Sequence, residues 1–213
     1  MVGGEDVGIG VEGIPLEKLE YLNKVKVCVV GKGGVIVELL KRWNFKEVRV
    51  IEGEVEPEDV RLDPFYDEEL VGAVPKYASS EKTCVSTLLP PTSVNEFKLS
   101  LRCVDVVIGS YDERTLKLAA AAARDLGIPL VTWGFVTTIL PDGIPLEEIE
   151  FPKIELDNVS AAFNVLVRAL QCYEAVKLFT GVGDMVFPPE AIEVDALSLR
   201  LRKVRLNVKK AIP

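Results

Sequence analysis

The sequence predicts an α/β fold, namely a Rossmann-like, doubly wound and mostly parallel sheet with C-terminal antiparallel strands. Residues 25–57 show the order strand, glycine loop, helix, strand and acidic loop, which is the nucleotide-binding half of such a sheet. Apolar runs then alternate with helical segments through the middle of the chain, as in a sheet built from βα units. Residues 191–210 alternate in the manner of a hairpin or a pair of strands.

In the first half of the chain, the strand at 25–30 is a continuous apolar run, which is typical of a strand buried on both faces. In chain order the sequence predicts a short helix at 15–24, a strand at 25–30, a helix from Gly34 to about Trp43 and a strand at 47–52. Residues 53–75 are acidic and contain prolines, and they predict a loop with one short helical turn.

The elements of the second half follow from proline and glycine positions as well as from apolar runs. In chain order the sequence predicts a helix at 75–90, a strand at 95–100, a strand at 104–110, an alanine-rich helix at 113–127, a strand at 129–140 with an irregular point at Gly134, and a long helix at 157–181.

Length, charge and cysteine content exclude several classes of function. The 213 residues suit an N-terminal extension at 1–24 and a single nucleotide-binding domain at 25–213. The net charge of -8 argues against nucleic-acid binding, and no apolar run is long enough to span a membrane, so a cytoplasmic protein is expected. The chain has no histidine and no CxxC pair, which excludes a Ser-His-Asp triad, and no zinc is expected.

The loop Gly31-Lys32-Gly33-Gly34 follows a strand and opens a helix, which is where phosphate groups bind. Gly31 permits a tight turn, and Gly33 and Gly34 leave room for phosphate oxygens to approach backbone N–H groups. Lys32 would add a positive charge to the phosphates. At Ile36, the position of a final motif glycine, a branched side chain would crowd the helix against the sheet or the phosphates. The alternative is a plain tight turn.

Two acidic residues follow the second strand. Glu52 ends that strand about twenty residues beyond the loop, where a carboxylate accepts hydrogen bonds from ribose hydroxyls in nucleotide-binding sheets. Glu54 follows two residues later. Both are therefore candidate cofactor-binding residues, and the alternative is that both are solvated acids of an acidic loop.

Three segments resemble the ThiF/MoeB family, the bacterial and archaeal relatives of ubiquitin-activating enzymes. The GKGG loop with EGEVEP resembles the family's acidic stretch, and residues 104–135 resemble its strand, aspartate, helix and Gly-x-Pro strand unit. Residues 169–183, ALQCYEAVKLFTGVG, are similar to the family's Gln-Ala-x-Glu-Ala-x-Lys helix. With the tail VDALSLRLRKVRL, the resemblance covers about residues 25–210.

The resemblance implies an activity. Members of the family bind Mg-ATP and activate the C-terminal glycine of a ubiquitin-like or sulfur-carrier β-grasp protein as an acyl-adenylate. By resemblance Asp112 meets the phosphates and the magnesium ion, and Lys76 stabilises phosphate charge in the transition state. The alternatives are that Asp112 caps the helix beginning near Glu113 and that Lys76 is an ordinary surface lysine.

Arginine and cysteine positions depart from the family pattern. No arginine precedes Arg42, so the arginine that family members send into the partner's site is missing from this chain. Arg61 lies about one position out of register with a second family arginine and is the candidate to replace it. The segment between Ile139 and Val159 has no cysteine, and Cys172 is expected to be packed in a helix. A covalent thioester on this chain is therefore not expected.

Three hypotheses of function stay open. The first is ATP-dependent adenylation of a β-grasp carrier. The second is a catalytically silent scaffold, either a homodimer or one half of a heterodimer whose partner supplies the arginine. The third is an NAD-binding oxidoreductase, which Glu52 would suit although no catalytic tyrosine-lysine pair is evident.

Overall fold

The computed structural model describes residues 14–111, 113–198 and 200–209, and it places six strands of those ranges in one central sheet. The helices are α1 (Leu16–Leu22), α2 (Val35–Arg42), α3 (Pro57–Leu62), α4 (Val94–Ser100), α5 (Glu113–Asp125) and α6 (Ala161–Thr180). The strands are β1 (Lys26–Val30), β2 (Glu47–Ile51), β3 (Cys84–Leu88), β4 (Val106–Gly109), β5 (Leu130–Val131), β6 (Thr138–Ile139), β7 (Ile149–Glu150), β8 (Glu190–Asp195), β9 (Arg200–Arg205) and β10 (Asn207–Val208). Short 3₁₀ turns occupy Glu68–Leu70, Leu146–Glu148 and Leu156–Asn158.

The central sheet has the order β3-β2-β1-β4-β5-β6, and every neighbouring pair is parallel except β5 with β6. Val30 pairs with Ile51 of β2 on one side and with Gly109 of β4 on the other. The carboxyl ends of these three strands are therefore level, and the residues that follow them emerge at one edge: Gly31, Glu52 and Ser110. The strand order reverses between β1 and β4, and ligands of open α/β sheets bind at such a switch point.

Both faces of the sheet are covered, because the residues of β1 alternate between two hydrophobic clusters. Val27 and Val29 pack with buried residues of α1, α2 and α6, whereas Cys28 and Val30 pack with those of α4 and α5. Ile36 belongs to the first cluster and is fully buried. Ile36 is therefore a core residue. The hydrophobic cluster accommodates its branched side chain, which the sequence predicts to crowd the helix.

The structure confirms the doubly wound sheet and the C-terminal antiparallel strands. Strand β8 pairs with β9 in an antiparallel hairpin, and β10 pairs with β7. Helix α6 ends at Gly181, whose φ of 62° is the left-handed conformation of a helix C-terminus. Of the helices that the described ranges contain, none is both long and apolar enough to cross a membrane.

Two neighbouring segments have secondary structure opposite to the prediction. Residues 75–90 were expected to form a helix, but β3 forms there, because Val85 and Thr87 are β-branched and pack on the sheet. Residues 95–100 were expected to form a strand, but they lie in α4, whose first turn is capped by Ser93. The Ser93 hydroxyl accepts the Glu96 N–H at 3.3 Å, and a Ser-x-x-Glu spacing is a helix-start signal in the sequence.

The expected strand at 129–140 is two short strands joined by a turn. Gly134 has a φ of 81°, which only glycine adopts readily, and it bends the chain back so that β6 pairs antiparallel with β5. Thr132 holds the turn, since its hydroxyl donates to the Phe135 carbonyl at 2.6 Å and accepts the Thr137 N–H at 3.0 Å. The irregular point expected at Gly134 is confirmed.

Candidate functional site

The candidate site is the crevice at the carboxyl ends of β1 and β4, where the glycine loop leaves the sheet. Gly31 has a φ of 93°, and a Cβ atom built on it would lie 2.5 Å from the Cβ of Ser110. Any side chain at Gly31 would therefore push the loop away from the end of β4. The glycine is needed for this close approach of two backbones.

The N-terminus of α2 carries three backbone N–H groups that already have acceptors within the protein. The Gly33 N–H donates to Glu52 Oε2 at 3.1 Å, and the Gly34 N–H donates to the Tyr77 hydroxyl at 2.8 Å. The Val35 N–H lies 3.1 Å from both carboxylate oxygens of Asp63. The sequence assigns Gly33 and Gly34 to the phosphate site, and in this conformation protein oxygens accept the N–H groups of both glycines and of Val35.

Glu52 is buried beneath the loop, with 1% of its surface exposed. Its Oε2 atom also accepts the Tyr66 hydroxyl at 2.9 Å, while Oε1 has no hydrogen-bond partner within the described ranges. Burial raises the pKa of this carboxyl, and the hydrogen bonds from Gly33 and the tyrosine hydroxyls oppose that shift only in part. Glu52 thus lies at the predicted position but is turned toward the loop and the tyrosines.

Asp63 is fully buried and is held by several donors. Besides Val35, it accepts the Phe65 N–H at 3.0 Å and an amide hydrogen of Asn164 at 3.4 Å. A Cβ atom on Gly34 would lie 2.0 Å from Asp63 Oδ2, so this glycine makes room for a carboxylate of the same chain. Burial raises the pKa of Asp63, although the hydrogen bond from Phe65 and the charge of buried Arg168 oppose that shift.

Lys32 is engaged on the other side of the loop. Its ammonium group pairs with the Asp59 carboxylate at 2.7 Å and also donates to the backbone carbonyl of Glu54. Asp59 accepts a short hydrogen bond from the Tyr111 hydroxyl as well. The Glu54 side chain is exposed and contributes only its backbone carbonyl to this cluster.

Arg168 of α6 ties together the strand ends that form the crevice, and sequence reasoning missed it. It is fully buried and donates to the carbonyls of Lys32 at 2.8 Å and Gly109 at 3.1 Å, and to the Ser110 hydroxyl at 2.6 Å. Gln171, one turn later, donates to the Gly109 and Thr132 carbonyls at 2.7 and 3.0 Å. Burial lowers the pKa of Arg168, while the negative charge of Asp63 nearby opposes that shift.

A row of aromatic rings leads from the crevice to an open cleft of about 500 Å³. The Trp133 ring meets Tyr111 at 5.5 Å and Phe163 at 6.0 Å between centroids, both edge to face. Phe163 lines the cleft with apolar side chains from residues 154–159 and with Phe135. Charged groups of both signs complete its wall: Lys153, Glu155, Glu193, Asp195 and Arg202.

The remaining predicted site residues lie apart from the glycine loop or outside the described ranges. Arg61 donates to the Leu156 and Val159 carbonyls, both at 2.7 Å, and so clasps the segment that lines the cleft. Lys76 is exposed and precedes Tyr77, the acceptor of the Gly34 N–H. Asp112, expected to meet phosphate and magnesium, lies outside the described residues. Within the described ranges no three acidic or cysteine side chains come together as metal ligands.

The N-terminus of α2 can bind a phosphate group only if the oxygens of Glu52, Asp63 and Tyr77 first move away from its N–H groups. Of the side chains that fill the crevice, sequence reasoning found Glu52 and Lys32 and missed Asp63, Tyr77 and Arg168. The missed residues carry no local signal, because they reach the loop from a distant loop or helix. Only the apolar setting of Arg168 within a helix, at VLVRAL, marks it as unusual in the sequence.

Comparisons with known proteins place the fold. No family model and no curated protein matches the chain. Among solved structures, PaaA has 18% sequence identity and a TM-score of 0.69, with 88% of this chain and 66% of PaaA covered. E. coli MccB in its complex with ATP has 14% identity and a TM-score of 0.71, covering 91% and 67% of the two chains.

A third structure is the microcin C7 biosynthetic enzyme MccB in complex with N-formylated MccA, at 13% identity and a TM-score of 0.69, with 91% of this chain and 68% of that chain covered. The chain thus spans about two thirds of the length of the proteins it resembles. At these identities the likeness shows the fold, and the chain has the fold shared by PaaA and MccB.

Proposed function

We propose that the crevice binds ATP with magnesium and that the protein transfers the adenylyl group to the C-terminal carboxylate of a peptide or small carrier protein. The observation that carries the proposal is a row of aromatic rings, Tyr111, Trp133 and Phe163, that joins the switch-point end of the sheet to the wall of the open cleft. In this geometry a nucleotide at the glycine loop would lie next to the extended C-terminal end of an acceptor in the cleft. The fold of MccB, solved with ATP and with MccA, supports the pairing.

The proposed chemistry needs no nucleophilic side chain. A carboxylate oxygen of the acceptor attacks the α-phosphorus and forms an O–P bond. The bond from that phosphorus to the oxygen bridging the β-phosphorus breaks, and pyrophosphate leaves with the electron pair. The protein then contributes orientation and charge stabilisation. This agrees with Cys28 and Cys172, whose burial raises their thiol pKa values and makes them poor nucleophiles.

Within this proposal the predicted residues have defined tasks. Gly33 and Gly34 offer backbone N–H groups to the phosphates, and Glu52 turns to the ribose. Lys76 stabilises charge at the α-phosphate, and Asp112 binds magnesium. Arg61 is assigned instead to the cleft, because its guanidinium group holds the segment that forms the cleft wall. In the present conformation the loop N–H groups are engaged, so nucleotide binding requires a local rearrangement.

The acceptor that we propose is a ubiquitin-like or sulfur-carrier β-grasp protein. An extended C-terminal tail suits a cleft with aromatic side chains, apolar side chains and charges of both signs. The tail would lie between residues 153–160 and the β8–β9 hairpin, with its carboxylate directed past Trp133. Phe135 and Phe163 would contact the tail. Lys153 and Arg202, the second of which pairs with Asp195 at 3.7 Å, would face acidic groups on it.

One observation favours a second candidate, a silent scaffold or heterodimer subunit. Glu52, Tyr77 and Asp63 occupy the three N–H groups of the loop, and Lys32 is paired with Asp59. If this site never opens, the protein binds no nucleotide, and its function then depends on contacts that its surface makes with a partner.

The test combines binding and exchange. Calorimetric titration with Mg-ATP, beside NAD, measures nucleotide binding, and we expect ATP alone to bind. Pyrophosphate exchange into ATP is then measured with a library of short peptides carrying free C-terminal carboxylates, with the same library amidated as the control. Carboxylate-dependent exchange supports adenylation. Binding of neither nucleotide favours the silent candidate. ATP binding without carboxylate-dependent exchange contradicts adenylation of these acceptors, and preferential NAD binding contradicts both candidates.

A further inference from the structure

Residues 63–77 form a segment, here called the acidic strap, that lies across the start of α2. Its two ends carry the oxygens that meet the loop, since Asp63 accepts the Val35 N–H and Tyr77 accepts the Gly34 N–H. Phe65 stacks on Tyr77 with centroids 5.0 Å apart, which joins the two ends to each other. The middle of the strap turns outward and residues 67–73 are mostly exposed.

The strap places negative charge where a nucleotide would place its own. It contains four acidic residues and one lysine, and Asp63 lies directly at the helix N-terminus. Backbone N–H groups at this end of a helix, together with the helix dipole, favour any anion, whether phosphate or carboxylate. Asp63 and a phosphate group would therefore compete for the same N–H groups, and the other strap acids would repel the phosphates.

Ordinary helix capping does not account for this arrangement. A cap needs one short polar side chain next to the helix in sequence. Here acceptors come from three distant positions, Glu52, Asp63 and Tyr77, and two of them are buried carboxylates. Glu52 keeps one buried oxygen with no hydrogen-bond partner within the described ranges. A fold that only needed a cap would not bury two carboxylates to obtain it.

We propose that the acidic strap is an internal competitor of the nucleotide, so that the protein binds Mg-ATP only when Asp63 and Tyr77 leave the start of α2. This inference rests on the proposed function, because it assumes that the nucleotide binds at the glycine loop. The apparent ATP affinity is the intrinsic affinity multiplied by the fraction of molecules in which the strap is open. A mostly closed strap therefore weakens ATP binding. A partner that binds the exposed middle of the strap would raise that fraction.

The strap is loosely held in its middle and anchored at its two ends, so its closed state is favoured and its open state is a minor one. Around its middle, two backbone hydrogen bonds at 2.9 Å join Val55 to Gly72 and Ala73. At its ends, the loop hydrogen bonds and the Phe65–Tyr77 stack are joined by buried contacts: Tyr77 packs in the hydrophobic cluster of the sheet, and the Tyr66 hydroxyl donates to Glu52 at 2.9 Å. Opening exposes the Tyr77 ring and the Phe65 ring stacked on it, and phosphate oxygens then replace the acceptors that the N–H groups of α2 have lost. The strap is a local unit that can open without unfolding the sheet.

The test compares two isosteric variants of the strap. Asp63→Asn removes the charge that faces Val35, whereas Asp67→Asn removes one charge from the exposed part of the same strap, where Asp67 caps a 3₁₀ turn. Affinity for Mg-ATP is measured by calorimetry for both variants and the wild type. We expect Asp63→Asn to bind about tenfold more tightly than the wild type, because weaker closure raises the open fraction, and Asp67→Asn to differ by about twofold or less.

The outcomes separate this inference from the proposed function. Equal or weaker ATP binding by Asp63→Asn than by the wild type overturns the strap as competitor and leaves nucleotide binding standing. Binding by the variant but not by the wild type supports the strap and explains a silent wild type. Absence of binding in every variant contradicts the proposed function itself and, with it, any competition.

A second pair of variants guards against misfolding of Asp63→Asn. Tyr77→Phe removes only the hydroxyl that accepts the Gly34 N–H, and Tyr173→Phe is the matched change on α6, away from the loop. Amide hydrogen exchange should show faster exchange at Gly34 in Tyr77→Phe alone, together with tighter ATP binding. Faster exchange without tighter binding would overturn the competition.

Discussion

Both carboxylate oxygens of Asp63 lie 3.1 Å from the backbone nitrogen of Val35, the first residue of α2. A helix N-terminus at the switch point of a doubly wound sheet is where an anion binds. In this protein the anion is a carboxylate of the same chain. The site therefore has two candidate occupants, a phosphate group and the Asp63 carboxylate, and in this conformation the carboxylate is the one present.

Replacing Gly34 with alanine should destabilise the protein because of Asp63. The added Cβ would lie 2.0 Å from Asp63 Oδ2, at a φ of 48°. Gly72→Ala is the control, because its φ is 81° but nothing lies within 4 Å of the added atom. Urea unfolding should show Gly34→Ala to be less stable than Gly72→Ala by about 1–3 kcal/mol, since a buried carboxylate must shift. Equal losses would mean that Asp63 is easily displaced from this position.

Replacing Arg168 with methionine should destabilise the protein strongly. The change leaves the carbonyls of Lys32 and Gly109 without their buried donor and removes a charge that balances Asp63. We expect a loss of about 3 kcal/mol or more in the free energy of unfolding. Arg124→Met removes an exposed arginine paired with Glu147, and it should cost less than about 1 kcal/mol. Similar losses for the two variants would show that Arg168 does not organise the crevice.

Glu52→Gln should stabilise the protein at neutral pH. Burial raises the pKa of Glu52 above its ordinary value of 4.5, so the folded protein holds this proton more tightly than the unfolded chain does. Above the raised pKa the cost of burying the charge is fully present, and it is relieved as the pH falls through that pKa toward 4.5. The variant should gain about 1 kcal/mol at pH 7, or roughly 2–4 °C in melting temperature.

Melting curves across pH check this expectation, with Glu69→Gln as the exposed control. The gain of Glu52→Gln should shrink as the pH is lowered, whereas the control should show no such trend. A variant that is less stable than the wild type at neutral pH would indicate that the ionised carboxylate of Glu52 is favourable where it lies.

The four cysteines should divide into two reactive and two protected thiols. Cys84 and Cys103 are exposed, whereas Cys28 and Cys172 are buried. Burial raises the pKa of the Cys28 thiol to about 12 and raises that of Cys172 as well. A thiol reagent at neutral pH should modify two cysteines in the folded protein and four after unfolding, as read by intact mass. Rapid labelling of Cys172 in the folded state would reopen the possibility of a covalent intermediate on α6.

The sheet could be predicted from the sequence because its signals are local. The strands 25–30 and 104–110 are largely apolar runs, and Gly127 and Gly181 mark the ends of α5 and α6. Segments 75–90 and 95–100 were assigned wrongly. The β-branched residues Thr83, Val85 and Thr87 of the first favour a strand, and the second is too short for its periodicity to decide between strand and helix. For segment 95–100, the Ser93–Glu96 spacing is a helix-start signal that indicates the correct assignment.

The contents of the crevice could be predicted only in part. Glu52 and Lys32 lie where the strand-loop-helix-strand unit places them, because their positions depend on a few local residues. Asp63, Tyr77 and Arg168 reach the loop through tertiary packing, and no short-range spacing records that. The glycines were expected to make room for phosphate, but Gly34 makes room for Asp63 in this conformation.

The most direct measurement of the central claim is a two-dimensional amide NMR spectrum of the full chain during titration with Mg-ATP. If the nucleotide binds at the crevice, the resonances of Gly33, Gly34 and Val35 will shift with a common affinity, and that of Tyr77 will follow as the strap leaves. Unchanged loop resonances at saturating Mg-ATP, whether or not other residues respond, would contradict nucleotide binding at this site.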